Sequence, residues 1–289
     1  MLNITADVPG NSTSFLQRGS FAETFFGPPA SMDFCEDNYA YTDHIVEFAN
    51  TLTSIFIVVI GVVGMLICAP RAGNEHRYRV YYVIMIFIGL GSTLFHGTLR
   101  RLGQAMDEIP MLWMSLTSFW IILFYNAPKR DTKAHRWAWV FTSLAIGLTA
   151  VYLSTWKMYL IFVATYTSAT AVGTCLVLYR CYSHRGPSRV IAWRFLEVGL
   201  AVYLTATVMW TLDYLFCDYL KPFYLHAIVW HTFSVTGAHL SLQAMVALRS
   251  DALNVGSHTE MFCKVLPMVG YNSVRGRLST PSSDPSKQD

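Results

Sequence analysis

Three histidines, one aspartate and one serine in this chain have the types and placement that suit metal-dependent hydrolysis. His96, His226 and His231 are metal ligands by type, and Asp107 is a carboxylate able to accept a proton. Three histidines with water in the fourth position form a common catalytic zinc site. Ser92 precedes His96 by four residues, so it shares the same helical face and could donate to an oxyanion. The alternative for each residue alone is ordinary packing within a helix.

Oxygen-bearing side chains form a second group near the N-terminus. Asp33, Glu36, Asn38 and Glu47 lie within one short acidic stretch. Carboxylate and amide oxygens are the ligands that calcium prefers. The stretch is not an EF-hand, because it lacks the glycine at the sixth position and its last glutamate lies too far along. The spacing leaves two interpretations open, a calcium site or an acidic, solvated loop before a helix.

Long apolar stretches must position these residues. The chain has 289 residues, of which 53% are hydrophobic and 13% charged, whereas about 25% charged residues is usual for a soluble domain. A stretch of about 20 apolar residues crosses a hydrocarbon core as a helix. The sequence therefore predicts an all-α integral membrane protein, a seven-transmembrane helix bundle. The seven predicted spans are, in chain order, 48–70, 80–99, 109–128, 137–156, 158–179, 190–219 and 222–248. All of them except 190–219 are free of acidic and basic residues.

Basic residues orient this bundle. With the N-terminus outside, fifteen lysines and arginines fall on the inner side and five on the outer side, which the positive-inside rule favours. The N-terminus is thus predicted to be lumenal or extracellular and the C-terminus cytosolic. Asn3 and Asn11 begin glycosylation sequons on the outer side. The predicted parts are a lumenal segment (1–43), a membrane domain (44–248) and a largely disordered cytosolic tail (249–289).

This topology brings the candidate residues to the outer side of the membrane. Cys35 and Cys217 are the cysteines on that side, which is oxidising for a secretory-pathway protein. A bridge between them would link the acidic stretch to the end of the sixth helix. Asp213 is either a partner that orients a ligand histidine or a hydrogen-bonding residue of the outer surface. His239, two turns deeper than His231, is interpreted as a packing residue. The net charge of +3 is too small and scattered to indicate a nucleic-acid partner.

Four sequence blocks resemble the alkaline ceramidase family, which is related to the adiponectin receptors among seven-span zinc hydrolases. The resemblance extends from about residue 33 to the end of the seventh helix. The blocks are Asp33-Phe-Cys-Glu-Asp-Asn-Tyr39 with Glu47-Phe-Ala-Asn-Thr51, Gly91-Ser-Thr-Leu-Phe-His-Gly-Thr-Leu99 with Leu102-Gly-Gln-Ala-Met-Asp-Glu-Ile109, Trp210-Thr-Leu-Asp-Tyr-Leu-Phe-Cys217, and Phe223-Tyr-Leu-His-Ala-Ile-Val-Trp-His231.

The resemblance implies a role for each candidate residue. The reaction implied is hydrolysis of the ceramide amide, with substrate taken from the bilayer of the endoplasmic reticulum or Golgi. The implied roles are zinc binding for His96, His226 and His231, general acid–base catalysis for Asp107, assistance to the oxyanion for Ser92, calcium binding for Asp33, Glu36, Asn38, Glu47 and the carbonyl of Phe34, and a disulfide for Cys35 and Cys217.

One spacing departs from the family pattern, in which the last two histidines are four residues apart. Here His226 and His231 are five apart, which is about 140° of rotation in an ideal α-helix. A single π-helical turn absorbs one extra residue and would return both rings to one side. We predict this π-bulge. The alternative is an unbroken α-helix that turns His226 away and leaves a two-histidine site.

Two other functions compete with hydrolysis. A seven-span receptor of the adiponectin-receptor type would keep the histidines as a structural or vestigial hydrolase site. A transporter would use intramembrane ionisable residues as a proton relay, but the sequence shows no interrupted helices at corresponding positions of two halves. The residue set favours hydrolysis over both, and the resemblance implies that the substrate is ceramide.

Overall fold

The computed structural model describes residues 24–129, 131–155 and 158–272. Most of them lie in helices. Two short segments, Cys217–Leu220 and Lys221–Phe223, lead to a π-helical segment, His226–Trp230, that continues directly into the last helix. The long helices are α1 (Phe48–Arg71), α2 (His76–Thr98), α3 (Arg101–Leu123), α4 (Thr132–Leu153), α5 (Met158–Ser183), α6 (Arg189–Leu215) and α7 (His231–Ala252), and a hairpin follows of β1 (Ser257–Phe262) and β2 (Leu266–Tyr271).

Helix length and hydropathy agree with a membrane protein. Within the described residues, five helices are long and apolar enough to cross a bilayer, namely α1, α2, α4, α5 and α6. Large apolar side chains also face outward, such as Trp139, Ile146 and Leu160, each at least 64% exposed. An outward apolar surface of this kind suits lipid rather than water. α3 and α7 are also long but contain more polar residues, such as Gln104 and Asp107 on α3 and His239 and Gln243 on α7.

Glycines allow α2 and α3 to pack with their backbones in close contact. A Cβ at Gly91 would lie 2.0 Å from the carbonyl oxygen of Met106, and one at Gly103 would lie 2.7 Å from Cα of Phe95. Small residues permit such close approach between membrane helices. The third predicted span starts at residue 109, just after Asp107, whereas α3 begins already at Arg101. Asp107 therefore lies in the second turn of α3.

The described N-terminal residues cross the end of the bundle where α2 turns into α3. Backbone hydrogen bonds join Ala30 N to Leu99 O (2.9 Å) and Glu47 N to His96 O (3.0 Å). Leu99 adopts a left-handed conformation with φ 45° that ends α2. The segment is therefore attached to the helices that carry the candidate site. The sequons at Asn3 and Asn11 lie outside the described residues.

The prediction of a largely disordered tail at 249–289 is wrong for its first part. α7 continues to Ala252, and β1 and β2 then pair in antiparallel fashion. Met268 and Val269 are buried, and Val269 N donates to Gln243 Oε1 over 2.8 Å. The hairpin thus packs on α7 through apolar residues and a buried amide. Residues 273–289 lie outside the described part of the chain.

Candidate metal and catalytic site

Three buried histidine rings meet at one end of the bundle. His96 comes from the last turns of α2, His226 from the π-helical segment and His231 from the first residue of α7. Their ring centroids are 4.9 to 5.4 Å apart, and one potential ligand atom from each lies within 4.8 Å of the other two. Tetrahedral zinc with bonds of about 2.0–2.1 Å would place its ligand nitrogens about 3.3 Å apart. The three buried rings form a group that could hold one metal ion.

A π-helical turn brings His226 and His231 together. The backbone N–H of His231 donates to the carbonyl of His226, five residues earlier, and the whole of His226–Trp230 is π-helical. The extra residue is absorbed in this turn, so both rings face the same side of the helix. The predicted π-bulge is confirmed, and the alternative of an unbroken α-helix with His226 turned away is wrong.

Neighbouring side chains orient two of the rings. Glu47 Oε2 contacts His96 Nδ1, and Thr53 Oγ1 lies 2.9 Å from His231 Nδ1. A carboxylate or hydroxyl on one ring nitrogen fixes the tautomer and leaves the other nitrogen as ligand. In both rings Nε2 is therefore available for a metal. His226 Nδ1 is buried and has no hydrogen-bond partner among the described residues.

Asp107 and Ser92 line the same cavity as two of the histidines. This site cavity is partly open to the exterior. Its wall also includes His226 and His231, and aromatic side chains cover much of the remainder. Ser54 Oγ donates to Ser92 Oγ over 3.0 Å. Ser54 Oγ also lies 2.7 Å from the carbonyl of Asn50, and the hydroxyl of Ser92 can both donate and accept.

The N-terminal segment covers the histidines. The ring of Phe34 lies 4.2 Å from that of His226 and 4.9 Å from that of His96, measured between centroids. The next residue, Cys35, forms a disulfide with Cys217. The predicted bridge is present, and it ties the residues covering the site to the chain just beyond α6.

The acidic stretch is adjacent to this site but is held by protein donors. Both carboxylate oxygens of Glu36 accept backbone hydrogen bonds at the start of α1, from Ala49 N (2.6 Å) and Asn50 N (2.8 Å). A carboxylate in that position caps a helix and stabilises its positive end. Asn38 Nδ2 donates to Asp33 Oδ2 over 3.2 Å. Within the described residues, the acidic side chains do not converge as closely as the histidines do.

Like charges are nevertheless crowded around Glu47. Burial raises the pKa of its carboxyl well above the ordinary value, the negative charges of Asp33 and Glu36 raise it further, and the N–H of Phe34 opposes them. Phe34 N donates to Glu47 Oε1 over 3.1 Å. A bound divalent cation would relieve this repulsion, and the available oxygens are of the type that calcium prefers. The donor set fits calcium in its chemistry.

Asp213 is buried rather than exposed on the outer surface. Its residue is 4% exposed, and its Oδ1 has no hydrogen-bond partner among the described residues. The same small cavity is lined by Asp213, Asn50 and His226. The outer-surface alternative is therefore wrong. His239 is a packing residue as predicted, since its two ring nitrogens bond Tyr82 OH (2.9 Å) and the carbonyl of Pro267 (3.0 Å).

Comparison with known proteins agrees with this geometry. The ceramidase family model matches residues 27–269. The chain belongs to the ceramidase family. The match includes every candidate residue from Asp33 to His231, and the resemblance inferred from the four sequence blocks is confirmed.

Several characterised relatives of this ceramidase-family chain are similar over most of their length. Alkaline ceramidase of Drosophila melanogaster is 32% identical, covering 73% of this chain and 74% of the relative. Alkaline ceramidase 1 of Homo sapiens is 30% identical, covering 70% and 76%. Alkaline ceramidase of Arabidopsis thaliana is 27% identical, covering 85% and 94%. The similarity thus extends to animals and plants and is not confined to the site.

Sequence reasoning missed an acidic residue beside Asp107 in the site cavity of this ceramidase-family chain. Glu108 also lines the cavity and is buried. Its carboxylate accepts from Tyr152 OH (2.6 Å) and Gln104 Nε2 (2.9 Å), and Gln104 Oε1 accepts from Ser31 N (2.9 Å). The network links α3 to α4 and to the N-terminal segment. Two consecutive carboxylates at the start of an apolar stretch were the signal.

The partner of His231 was missed as well. Thr53 lies on a polar stripe of α1, which is otherwise apolar. Glu47, Asn50 and Thr53 recur every three residues, so they share one face of the helix. A polar stripe within an apolar span indicates a face that meets polar groups in the bundle.

Proposed function

We propose that this chain is a zinc-dependent intramembrane amidase that hydrolyses ceramide to a sphingoid base and a free fatty acid. The observation that carries the proposal is the meeting of His96, His226 and His231 beside a cavity that also contains Asp107 and Ser92. The relatives named alkaline ceramidases support the substrate. The aromatic and apolar wall of the cavity suits a lipid better than a water-soluble amide.

Residues of the chain have distinct tasks in this reaction. Zinc held by the three histidines would supply a Lewis acid for the amide carbonyl and a water of near-neutral pKa. Asp107 accepts a proton from the attacking water and delivers it to the leaving amine. Ser92 donates its hydroxyl proton to the developing oxyanion. Glu47 and Thr53 hold their histidine rings in orientation.

Zinc analysis combined with product release tests this proposal. Wild type should contain one zinc per chain and release fatty acid from a ceramide panel. A His96→Ala, His231→Ala double variant should lose both zinc and activity. Asp107→Asn should keep zinc and lose about 10²- to 10⁴-fold in kcat, the usual contribution of a general acid–base.

The outcomes separate hydrolysis from its rival. Wild type that binds zinc but releases no fatty acid from any ceramide would overturn the proposal and favour a receptor of the adiponectin-receptor type. Activity that persists in the double variant would show that the histidines are structural.

We also propose that calcium supports the activity. It would be held by side-chain oxygens of the acidic stretch and the carbonyl of Phe34, and it would order the segment that covers the histidines. Glu47 contacts His96, so a Glu47→Ala variant would disturb two sites, and Asp33→Ala is the cleaner test. We expect calcium chelation and Asp33→Ala to reduce turnover alike while zinc content stays unchanged. Unchanged turnover under both conditions would remove calcium from the mechanism. The proposed calcium ligands are Asp33, Phe34, Glu36, Asn38 and Glu47.

The proposed topology has seven spans with the N-terminus lumenal and the C-terminus cytosolic, in the endoplasmic reticulum or Golgi. The basic residues of the loops support the orientation, and the disulfide supports an oxidising compartment at the site end. Glycosylation at Asn3 and Asn11 would report the side of the N-terminus. We expect glycosidase digestion to shift wild type on a gel and to leave an Asn3→Gln, Asn11→Gln variant unshifted. A glycan-free wild type, with the N-terminus labelled only from the cytosol, would contradict this orientation.

A further inference from the structure

A second large cavity adjoins the site cavity. This inner cavity, which is partly open, lies between α3, α5, α6 and α7. Met114, Tyr166 and Ala238 line both cavities. The two spaces therefore share a junction formed by one residue each from α3, α5 and α7.

The lining residues follow the same order along each of these helices. On α3, Asp107 lines the site cavity, Met114 lies at the junction, and Ile122 lines the inner cavity. Since the order is the same on every helix, the inner cavity continues the site cavity along the bundle axis. The corresponding residues are Phe162, Tyr166 and Val177 on α5, and His231, Ala238 and Met245 on α7.

The combined depth is large enough for a lipid chain. Asp107 and Ile122 are fifteen residues apart, which corresponds to about 22 Å along a helix. A hydrocarbon core is about 30 Å thick, so a lipid chain occupies about half of it, or 15 Å. A chain entering beside Asp107 can therefore extend through the junction and into the inner cavity.

Four of the hydroxyls in the wall of the inner cavity are bonded within the protein. Ser115 Oγ donates to Met111 O (3.1 Å) and Ser118 Oγ to Met114 O (2.9 Å), both in α3. The hydroxyls of Tyr166 and Tyr203 bond each other over 2.8 Å. Because most of the other lining side chains are apolar, the wall presents mainly carbon to an occupant. Such a wall suits a hydrocarbon chain and offers little to a polar ligand.

We propose that the inner cavity receives one hydrocarbon chain of the lipid substrate and that its depth limits the chain length accepted. The inference rests on the proposed hydrolysis of ceramide and deepens it. The Tyr166–Tyr203 pair stands beside the junction, and a chain longer than the site cavity passes this pair. A chain too long for the two cavities together is excluded sterically, whereas a short chain never reaches the inner cavity.

Gly173 offers a way to fill the inner cavity without disturbing the fold. It lines that cavity on α5, and a Cβ built there has no atom within 4 Å. Gly147 on α4 provides a matched control, since a Cβ there also has no atom within 4 Å and the residue lines neither cavity. The series Gly173→Ala, Gly173→Leu and Gly173→Phe should fill the cavity by steps, with Gly147→Phe alongside.

The test measures kcat/KM on two ceramide series. One series varies the acyl chain on a fixed sphingoid base, and the other varies the base with a fixed acyl chain. For Gly173→Phe we expect kcat/KM to fall about tenfold or more on long chains in one series, the scale of discrimination that a pocket achieves for one methylene. Short chains should be unaffected. Gly173→Leu should lower kcat/KM for fewer of the long-chain substrates than Gly173→Phe does. Gly173→Ala and Gly147→Phe should have the kcat/KM values of wild type. The series that responds identifies which chain occupies the cavity.

Failure of this inference is distinct from failure of the proposed function. If wild type hydrolyses no ceramide of any length, the proposed function fails. Suppose that wild type is active and that Gly173→Leu and Gly173→Phe leave kcat/KM unchanged in both series, or lower kcat/KM equally for short and long chains. The inner cavity then does not hold a substrate chain. The zinc content of each variant shows whether an inactive protein is still assembled. If Gly173→Phe is not assembled, the result for Gly173→Leu tests the inference.

Discussion

Replacing Gly91 with alanine should displace Asp107 from its working position. The added Cβ would lie 2.0 Å from the carbonyl oxygen of Met106 and 2.6 Å from the backbone nitrogen of Asp107. Backbone atoms cannot rotate aside as a side chain can, so α2 and α3 must separate. Reaching an ordinary contact distance of 3.4 Å requires a shift of about 1.4 Å. This movement acts directly on the helix turn that carries Asp107.

The expected effects on catalysis and on stability can be measured separately. A displacement of about 1 Å in a catalytic group can cost about 10²-fold in rate, so kcat for fatty acid release should fall by about that factor. Overpacking costs about 1–3 kcal/mol, which should lower the thermal unfolding midpoint. The zinc ligands need not move apart, and zinc content should stay at one per chain.

A second glycine on α2 serves as the control. A Cβ at Gly97 would be 3.8 Å from the nearest atoms of Thr51, an ordinary contact. Gly97→Ala should therefore keep wild-type turnover and stability. If Gly91→Ala retains wild-type kcat with a full complement of zinc, close approach of the two helices does not position Asp107 and the reasoning is refuted.

Three further perturbations address the metal site and its surroundings. Deleting Ile228 shortens the π-helical segment to the four-residue spacing that an α-helix presents on one face, so one zinc per chain should remain, whereas inserting an alanine after Ile228 should abolish zinc binding; equal zinc in both would contradict the role of the π turn. Asp213→Ala should weaken zinc about 10- to 100-fold in competition with a chelator, as loss of a ligand-orienting group does, and Asp213→Asn should weaken it less; wild-type affinity in both variants would exclude Asp213 from that task. Cys217→Ser should lower the free energy of unfolding by about 2–5 kcal/mol, seen as a lower thermal midpoint, while Cys175→Ser at an exposed free cysteine should not change it.

Residue types and spacing predicted the site to a useful degree. Charge-free stretches located the helices, and a histidine spacing of five required the π turn that is found between His226 and His231. The disulfide could be predicted because few cysteines lie on the site side of the bundle. The helices and the π turn depend on neighbouring residues in the sequence, and the disulfide follows from the order and direction of the helices. The sequence was therefore sufficient to predict them.

Other features depend on tertiary contacts that a linear pattern does not specify. Glu47 was predicted as a calcium ligand, yet its carboxylate also contacts His96, because α1 and α2 meet at that level. Glu108 escaped notice since its partners come from three separate segments. The start of α3 was misplaced because Asp107 and Glu108 end the charge-free stretch without interrupting the helix. The hairpin after α7 was missed since its strands are short and their apolar residues become buried only by packing on the bundle.

The order of the site residues along the chain has a consequence for biosynthesis. Glu47 and His96 emerge from the ribosome early, whereas Cys217 and His231 come late, and the disulfide joins residues 182 positions apart. A nascent chain therefore carries the Glu47–His96 pair through the insertion of several helices before its partners exist. Metal loading and disulfide oxidation must then follow translation of nearly the entire membrane domain. A chain that stalls before α7 retains unsatisfied polar groups within the bilayer, a feature by which cellular quality control can recognise unfinished protein.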